Sequence, residues 1–204
     1  MKQSIFDLAF QHNDLPGKIV VGLERIAEAF RVLLWDHAKV IGLSPIQIQI
    51  LVFLAYHDES LCNVSHLAKE FNVTKATVSD AIKVLEKKKL IRKIPSPTDK
   101  RAYSIQLSSD GEKMVEQTES FANPIRHNLE RLSKKEQEAL FHQLTQLIYG
   151  LNQNGILQVQ RTCFGCKFYE KKKSHHYCHL MNKKLQDKDL RLDCPEFHDK
   201  TTTT

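Results

Sequence analysis

The stretch from Ser65 to Leu107 constrains this chain most. His66-Leu67-Ala68-Lys69-Glu70-Phe71 is followed by Asn72-Val73, and then by Thr74-Lys75-Ala76-Thr77-Val78-Ser79-Asp80-Ala81-Ile82-Lys83-Val84-Leu85. Thr74 is placed to cap a second helix, because its hydroxyl accepts a free first-turn amide. Val78, Ala81, Ile82 and Leu85 recur at helical spacing and mark the face turned inward. Beyond Leu90, Ile91–Ile94 and Ala102–Leu107 read as two strands of a hairpin. Its loop, Pro95-Ser96-Pro97-Thr98-Asp99-Lys100-Arg101, is stiffened by two prolines. A short helix, a tight turn, a second helix and a basic hairpin make a winged helix-turn-helix, a motif that sets its second helix into the DNA major groove.

Charge agrees with that geometry. Residues 65–107 hold ten Lys/Arg against four Asp/Glu, although the whole chain of 204 residues carries only +6. Positive charge concentrated on an element with docking geometry is the footprint of a polyanion binder. Thr74, Lys75, Thr77, Ser79, Asp80 and Lys83 occupy or border the outward face of the second helix, where small hydroxyls and lysines suit phosphates and base edges. Asp80 sits awkwardly beside phosphate. It is expected to pair with Lys83 or Lys87 on its own helix rather than accept from a cytosine amino group. Lys100 and Arg101, near the hairpin tip, have the reach for a minor groove.

The flanks read as long helices. From Lys18 to Ile41 a stripe of Ile19, Leu23, Ile26, Phe30, Leu33, His37 and Val40 alternates three and four. His37 on that stripe is expected to be packed or hydrogen-bonded. Ser44-Pro45-Ile46-Gln47 opens a second helix running to about Tyr56. Leu61–Val64 reads as a brief extended segment, with Cys62 a small buried residue. Ser109-Asp110-Gly111-Glu112 opens a helix to about Arg131 with a bend at Pro124. Ser133-Lys134-Lys135-Glu136 opens another, carrying Leu140, Leu144, Leu147, Ile148 and Leu151. Long terminal helices around such a core are a common route to a two-fold dimer.

The element order over residues 17–155 resembles that of the MarR family of bacterial transcription regulators. The resemblance rests on Val64–Val73, on Thr74-Lys75-Ala76-Thr77-Val78-Ser79, on Leu85-Glu86-Lys87-Lys88 and on Asp99-Lys100-Arg101 at the wing tip. It implies a homodimer on a pseudo-palindromic operator in double-stranded DNA, with recognition helices in successive major grooves and wings beside minor grooves. Two departures stand out. Asp80 occupies a position that is often basic or polar, and Lys89 stands where glycine usually ends the recognition helix. If that site is left-handed, lysine costs about 1 kcal/mol relative to glycine.

The segment beyond the long helices is of another kind. Cys163-x2-Cys166-x11-Cys178-x15-Cys194 places four of the five cysteines in 32 residues. A Cys-x2-Cys pair lets two thiolates hold one centre from a single turn. So short a segment has little core of its own, and a metal or cluster supplies folding free energy in such cases. Cys-Phe-Gly-Cys-Lys-Phe, then Cys178-His-Leu-Met, then Cys194-Pro-Glu-Phe resembles the cluster-binding half of high-potential iron–sulfur proteins, which implies a [4Fe–4S] cluster. Structural zinc is the alternative, since ligand type alone does not choose between them.

The expected architecture is therefore mainly α with a small β-wing, over residues 1–158, plus a four-cysteine metal or cluster module at 159–200 and a disordered tail at 201–204. No apolar run approaches a membrane span and no signal peptide opens the chain, so a cytosolic protein with no membrane partner is expected. No nucleophile–base pair or phosphate-cradling glycine loop argues for an enzyme. The expected function is DNA-dependent regulation answering either to redox or iron state, through the cysteines, or to a small-molecule effector.

Overall fold

The computed structural model of the chain describes residues 4–8, 13–95, 103–173 and 175–200. Helix α1, Leu15–Ile41, starts three residues earlier than its apolar pattern, because Asp14 caps it and accepts the Gly17 amide at 3.1 Å. It stops at Gly42, whose φ of 67° is left-handed. Of the expected stripe, Ile19, Ile26, Phe30 and Val40 are 54%, 51%, 41% and 85% exposed, so most of it finds no partner within one chain. Leu34 and Ala38 near the C-terminal end bury instead. His37 donates from Nε2 to the Gln117 carbonyl at 2.8 Å, the hydrogen-bonded role expected of it.

Helix α2, Pro45–Tyr56, is apolar on all sides and forms the middle of the core, with Ile48, Ile50 and Leu51 fully buried. The Gln47 side chain accepts the Ser44 amide at 2.9 Å, as the capping sequence requires. A 3-10 turn, Glu59–Leu61, follows. It takes in Leu61, the first residue of the expected extended segment, and Val64, the last, already begins the next helix. Cys62 alone keeps a strand-like role, its carbonyl accepting the Ile105 amide at 2.8 Å.

Helices α3, Val64–Glu70, and α4, Lys75–Lys87, make the helix-turn-helix. Strands β1, Ile91–Pro95, and β2, Tyr103–Leu107, pair antiparallel from Ile91↔Leu107 to Pro95↔Tyr103. Helix α5, Ser109–Thr118, is capped by Ser108 rather than by Ser109. Ser108 is extended and tied to the wing on both sides: its amide donates to Leu90 and its hydroxyl to the Lys89 carbonyl. The expected single bent helix to Arg131 is in fact broken. A 3-10 turn, Glu119–Ala122, separates α5 from α6, Asn123–Leu129. Proline excludes the preceding turn's carbonyl and has no amide to donate, so Pro124 begins a new helix. Helix α7, Lys134–Gln153, carries the expected capping box, with the Ser133 amide 2.9 Å from Glu136 Oε2.

The C-terminal segment carries a three-stranded antiparallel meander: β3, Tyr169–Lys172; β4, His175–Cys178; β5, Lys183–Leu185. Its buried apolar cluster consists of Cys163, Leu185 and Leu190, flanked by Phe141 of α7 and by Phe164, Tyr169 and Cys178. No single described helix is long and apolar enough to cross a membrane. The expected disordered tail, 201–204, and the wing-tip residues Lys100 and Arg101 lie outside the described residues.

Candidate nucleic-acid interface and the cysteine module

Helix α4 buries Val78, Ala81, Ile82 and Leu85 against the core, which fixes its roll. Thr74, Lys75, Thr77, Asp80 and Lys83 are left exposed and Ser79 half-buried. Thr74 Oγ1 accepts the Thr77 amide at 3.1 Å and lies 2.9 Å from the Thr77 hydroxyl, so these two groups also stiffen the first turn. Asp80 pairs with Lys83 at 2.9 Å across one turn of its own helix. Lys83 is therefore held beside a carboxylate in the free protein.

Two residues in this motif have a left-handed backbone. Asn72, in the turn between α3 and α4, has φ 52°, and Lys89, after α4, has φ 60°. Asparagine tolerates that region through its short polar side chain. Lysine does not, so the strain expected at Lys89 is present. The conformation is imposed from both sides: Lys89 donates its amide to Glu86, and its carbonyl accepts from Ser108 at 2.6 Å.

The C-terminal segment is locked onto α3. Arg161, with a side chain only 11% exposed, donates from Nη1 and Nη2 to the two Glu70 oxygens at 2.8 and 3.1 Å. It also pairs with Asp193 and lies 5.8 Å over the Phe53 ring. Asp193 in turn accepts from His57 Nε2 at 2.6 Å, and Gln158 donates to the Asn72 side chain at 2.9 Å. Burial would lower the Arg161 pKa, but hydrogen bonds to Asp193 and Glu70 outweigh it and raise it further. Burial would likewise raise Asp193, yet Arg161 and His57 hold it below the usual carboxylate range. His66, beside this network, is pushed down by burial. A cleft of about 800 Å³ separates the two parts, lined by His57, His66, Lys69, Arg161, Cys194 and His198 among others. None of this was readable from sequence: Arg161 reaches partners 91 and 32 residues away.

All five cysteines are free thiols. Cys163 and Cys166 are buried at the turn Cys163–Gly165, Cys178 ends β4, and Cys194 follows Asp193. The thiols surround Cys163: burial raises its pKa most, and Cys194, Cys166 and Cys178 add to the rise through their charge, against the Arg191 amide. They do not, however, close into a set of ligand atoms. Among the described residues, no three cysteine sulfurs lie within 4.8 Å of one another; the set that does is His142, His176 and Asp187. The four cysteines expected to share one centre are not drawn together into one set of ligand atoms in this structure. The Arg191 amide donates to Cys163 Sγ at 3.2 Å, and its guanidinium lies 3.6 Å from Cys194 Sγ. Cys62, buried and donating to the Asp58 carbonyl at 3.4 Å, has its thiol pushed up to about 11, mainly by burial.

The sequence pattern of the MarR family matches residues 41–102, from the end of α1 into the wing. Over these residues the winged helix-turn-helix is similar to that of the MarR family. A *Bacillus subtilis* (strain 168) protein, the uncharacterized HTH-type transcriptional regulator YhbI, is 27% identical over 104 residues, covering 48% of this chain and 68% of its own. The crystal structure of the S. aureus MepR–DNA complex is similar at a TM-score of 0.57 and 26% identity, over 65% of this chain and 97% of that one. Transcriptional regulator PA3341 shares the fold at a TM-score of 0.56 and 24% identity, over 67% and 98%. The matched part is thus nearly the whole of these two solved structures, and about a third of this chain lies outside each match.

Proposed function

We propose that this protein is a MarR-type transcription regulator, not an enzyme, that binds double-stranded DNA as a homodimer through α4 and the wing. The observation that carries the reading is the outward face of α4. Lys75, Thr77 and Lys83 are exposed beside a rigid, capped first turn, on a fold shared with MepR in its complex with DNA. Thr74, Lys75, Thr77, Ser79, Asp80 and Lys83 make the groove contacts, and Lys100 and Arg101 the contacts of the wing. The exposed apolar side chains of α1 support the dimer, since Ile19, Ile26 and Phe30 recur on one face of the helix and are all left exposed. A two-fold pair of recognition helices reads half-sites about one helical turn, ~34 Å, apart. Selection of duplexes from a random pool by the purified chain is expected to enrich a palindrome; enrichment of no sequence overturns the proposal.

The four tail cysteines form the finer part of this reading. Among the described residues their module buries only four apolar side chains, Cys163, Cys166, Leu185 and Leu190, too few to hold it without a further source of free energy. A single zinc needs sulfurs about 3.8 Å apart, as follows from Zn–S bonds of ~2.3 Å in a tetrahedron. A [4Fe–4S] cluster, in which each thiolate holds its own iron, accepts a wider spread of sulfurs than one zinc does. The Arg191 guanidinium beside Cys194 offsets thiolate charge. Tying such a centre through Asp193 and Arg161 to α3 makes the recognition helices responsive to its state. Anaerobic purification, a visible spectrum and iron, sulfide and zinc analysis test it. About four iron and four sulfide per chain are expected; one zinc per chain favours the structural site, and neither metal overturns both.

A further inference from the structure

Where α7 meets the C-terminal sheet, three ligating side chains from three separate elements converge. His142 comes from α7, His176 from β4 and Asp187 from the turn Asp187–Asp189. Their ligand atoms lie within 4.8 Å of one another. His176 Nε2 is 2.8 Å from Asp187 Oδ1, and His142 Nδ1 is 3.8 Å from Asp187 Oδ2. Nitrogen and oxygen donors at ~2.0–2.1 Å from one ion stand about 2.8–3.4 Å apart, so side-chain shifts of about an ångström close the set.

Two features separate this cluster from an ordinary ion pair. The first is His142. Its Nδ1 is shielded from solvent and has no hydrogen-bond partner. Its Nε2 lies 2.7 Å from the Gln146 amide, which fixes the ring. Whichever way that amide is turned, Nδ1 faces the Asp187 carboxylate from beyond hydrogen-bonding distance. A cation between them satisfies both groups. The second is His176, which is 4% exposed, with Nδ1 2.6 Å from the Tyr169 hydroxyl. When Nδ1–H donates to that oxygen, Nε2 presents its lone pair toward Asp187, the arrangement in which a metal-bound imidazole is held by an outer partner. Tyr169 stays a neutral phenol, its pKa pushed up to about 12 chiefly by burial.

We propose that His142, His176 and Asp187 form a binding site for a divalent transition ion of the zinc class, which clamps α7 to the C-terminal sheet. Two imidazoles and one carboxylate select such an ion over magnesium or calcium, which take oxygen donors. A cleft of about 380 Å³ over the three residues provides entry. Lys171, Lys172 and Lys173 on its rim oppose a cation, but they are solvent-exposed and screened, whereas the nitrogen ligands are sheltered. The site uses no sulfur and is independent of what the four cysteines hold.

The test uses the full-length, tag-free chain, stripped with a chelator under reducing conditions and titrated with Co²⁺, then with Zn²⁺ in competition. The wild type is expected to bind one cobalt with weak visible bands and no thiolate-to-metal band from this site. His142→Gln and Asp187→Asn should lose that ion, with affinity falling at least about a hundredfold, while any thiolate band is unchanged. Tyr169→Phe should weaken binding about tenfold or more. Circular dichroism matched to wild type checks folding; Asp187→Asn, at the more exposed of the two positions, is the variant least prone to misfolding. Unchanged cobalt stoichiometry, spectrum and affinity in both His142→Gln and Asp187→Asn overturn the proposal.

Discussion

Replacing Arg161 with methionine should release the C-terminal segment from the helix-turn-helix. Methionine keeps most of the stem that lies over Phe53 and removes the guanidinium that joins Glu70 to Asp193. The side chains of Arg161, Glu70 and Asp193 are 11%, 21% and 46% exposed. Breaking a fully buried pair costs about 3–5 kcal/mol, and an exposed one about 0–1. The bidentate contact with Glu70 lies nearer the first limit and the Asp193 contact nearer the second, which puts the loss at about 2–3 kcal/mol. Because the residues affected are a local unit, the cost should fall on opening of the interface before global unfolding. Amide exchange in α3 and around residues 158–194 should then quicken by about thirty- to a hundredfold, since 1.4 kcal/mol is a factor of ten. A cycle with Glu70→Gln should return a coupling of about 1.5–2.5 kcal/mol. Exchange rates unchanged in both regions, or a coupling below about 0.5 kcal/mol, would refute the anchoring role.

Acid should loosen the same interface. Asp193 has a lowered pKa in the folded chain, so its contribution is complete above the unfolded value of about 3.9 and is lost as pH falls through the lower folded one. His66, lowered by burial, adds a penalty already as pH drops below about 6.5, and His66→Gln should flatten that part of the stability profile. Gly111→Ala should destabilise by about 1–3 kcal/mol in chemical denaturation, because an added Cβ would stand 2.0 Å from the Leu90 carbonyl. Lys89→Gly should stabilise by up to about 1 kcal/mol by relieving a left-handed lysine; a loss of stability would show that the lysine side chain holds something the backbone argument omits. Cys62 should react with a thiol reagent at neutral pH only on unfolding, given a pKa pushed up to about 11.

The parts of the fold legible in the sequence are those governed by local rules. Thr74 caps α4, Ser133 and Glu136 cap α7, and Val78, Ala81, Ile82 and Leu85 set the roll of the recognition helix, all as their spacing requires. Lys89 could be singled out because a backbone conformation, not a contact, distinguishes it. Boundaries failed where a neighbour in space outweighed the local signal. Ser108 displaced Ser109 as cap because the wing holds it through Leu90 and Lys89. The apolar stripe of α1 is compatible with packing inside one chain or against a second, and pattern alone does not report that most of it stays exposed. The Arg161 network and the His142–His176–Asp187 cluster join residues tens of positions apart, and no periodicity reports such pairs. In the tail, cysteine spacing singled out candidate donors, but the contacts of Arg191 with two of their sulfurs carry no motif.

Hydroxyl-radical footprinting on a duplex selected by the protein tests the central claim most directly. Two protected backbone segments related by a dyad are expected, with half-site centres about 34 Å apart. Lys75→Ala and Lys83→Ala should each lower the salt dependence of binding, by about 0.9 in slope for every phosphate contact removed. Binding without a preferred sequence, or a footprint unaltered by both substitutions, would contradict the assignment of α4 as the element that reads DNA.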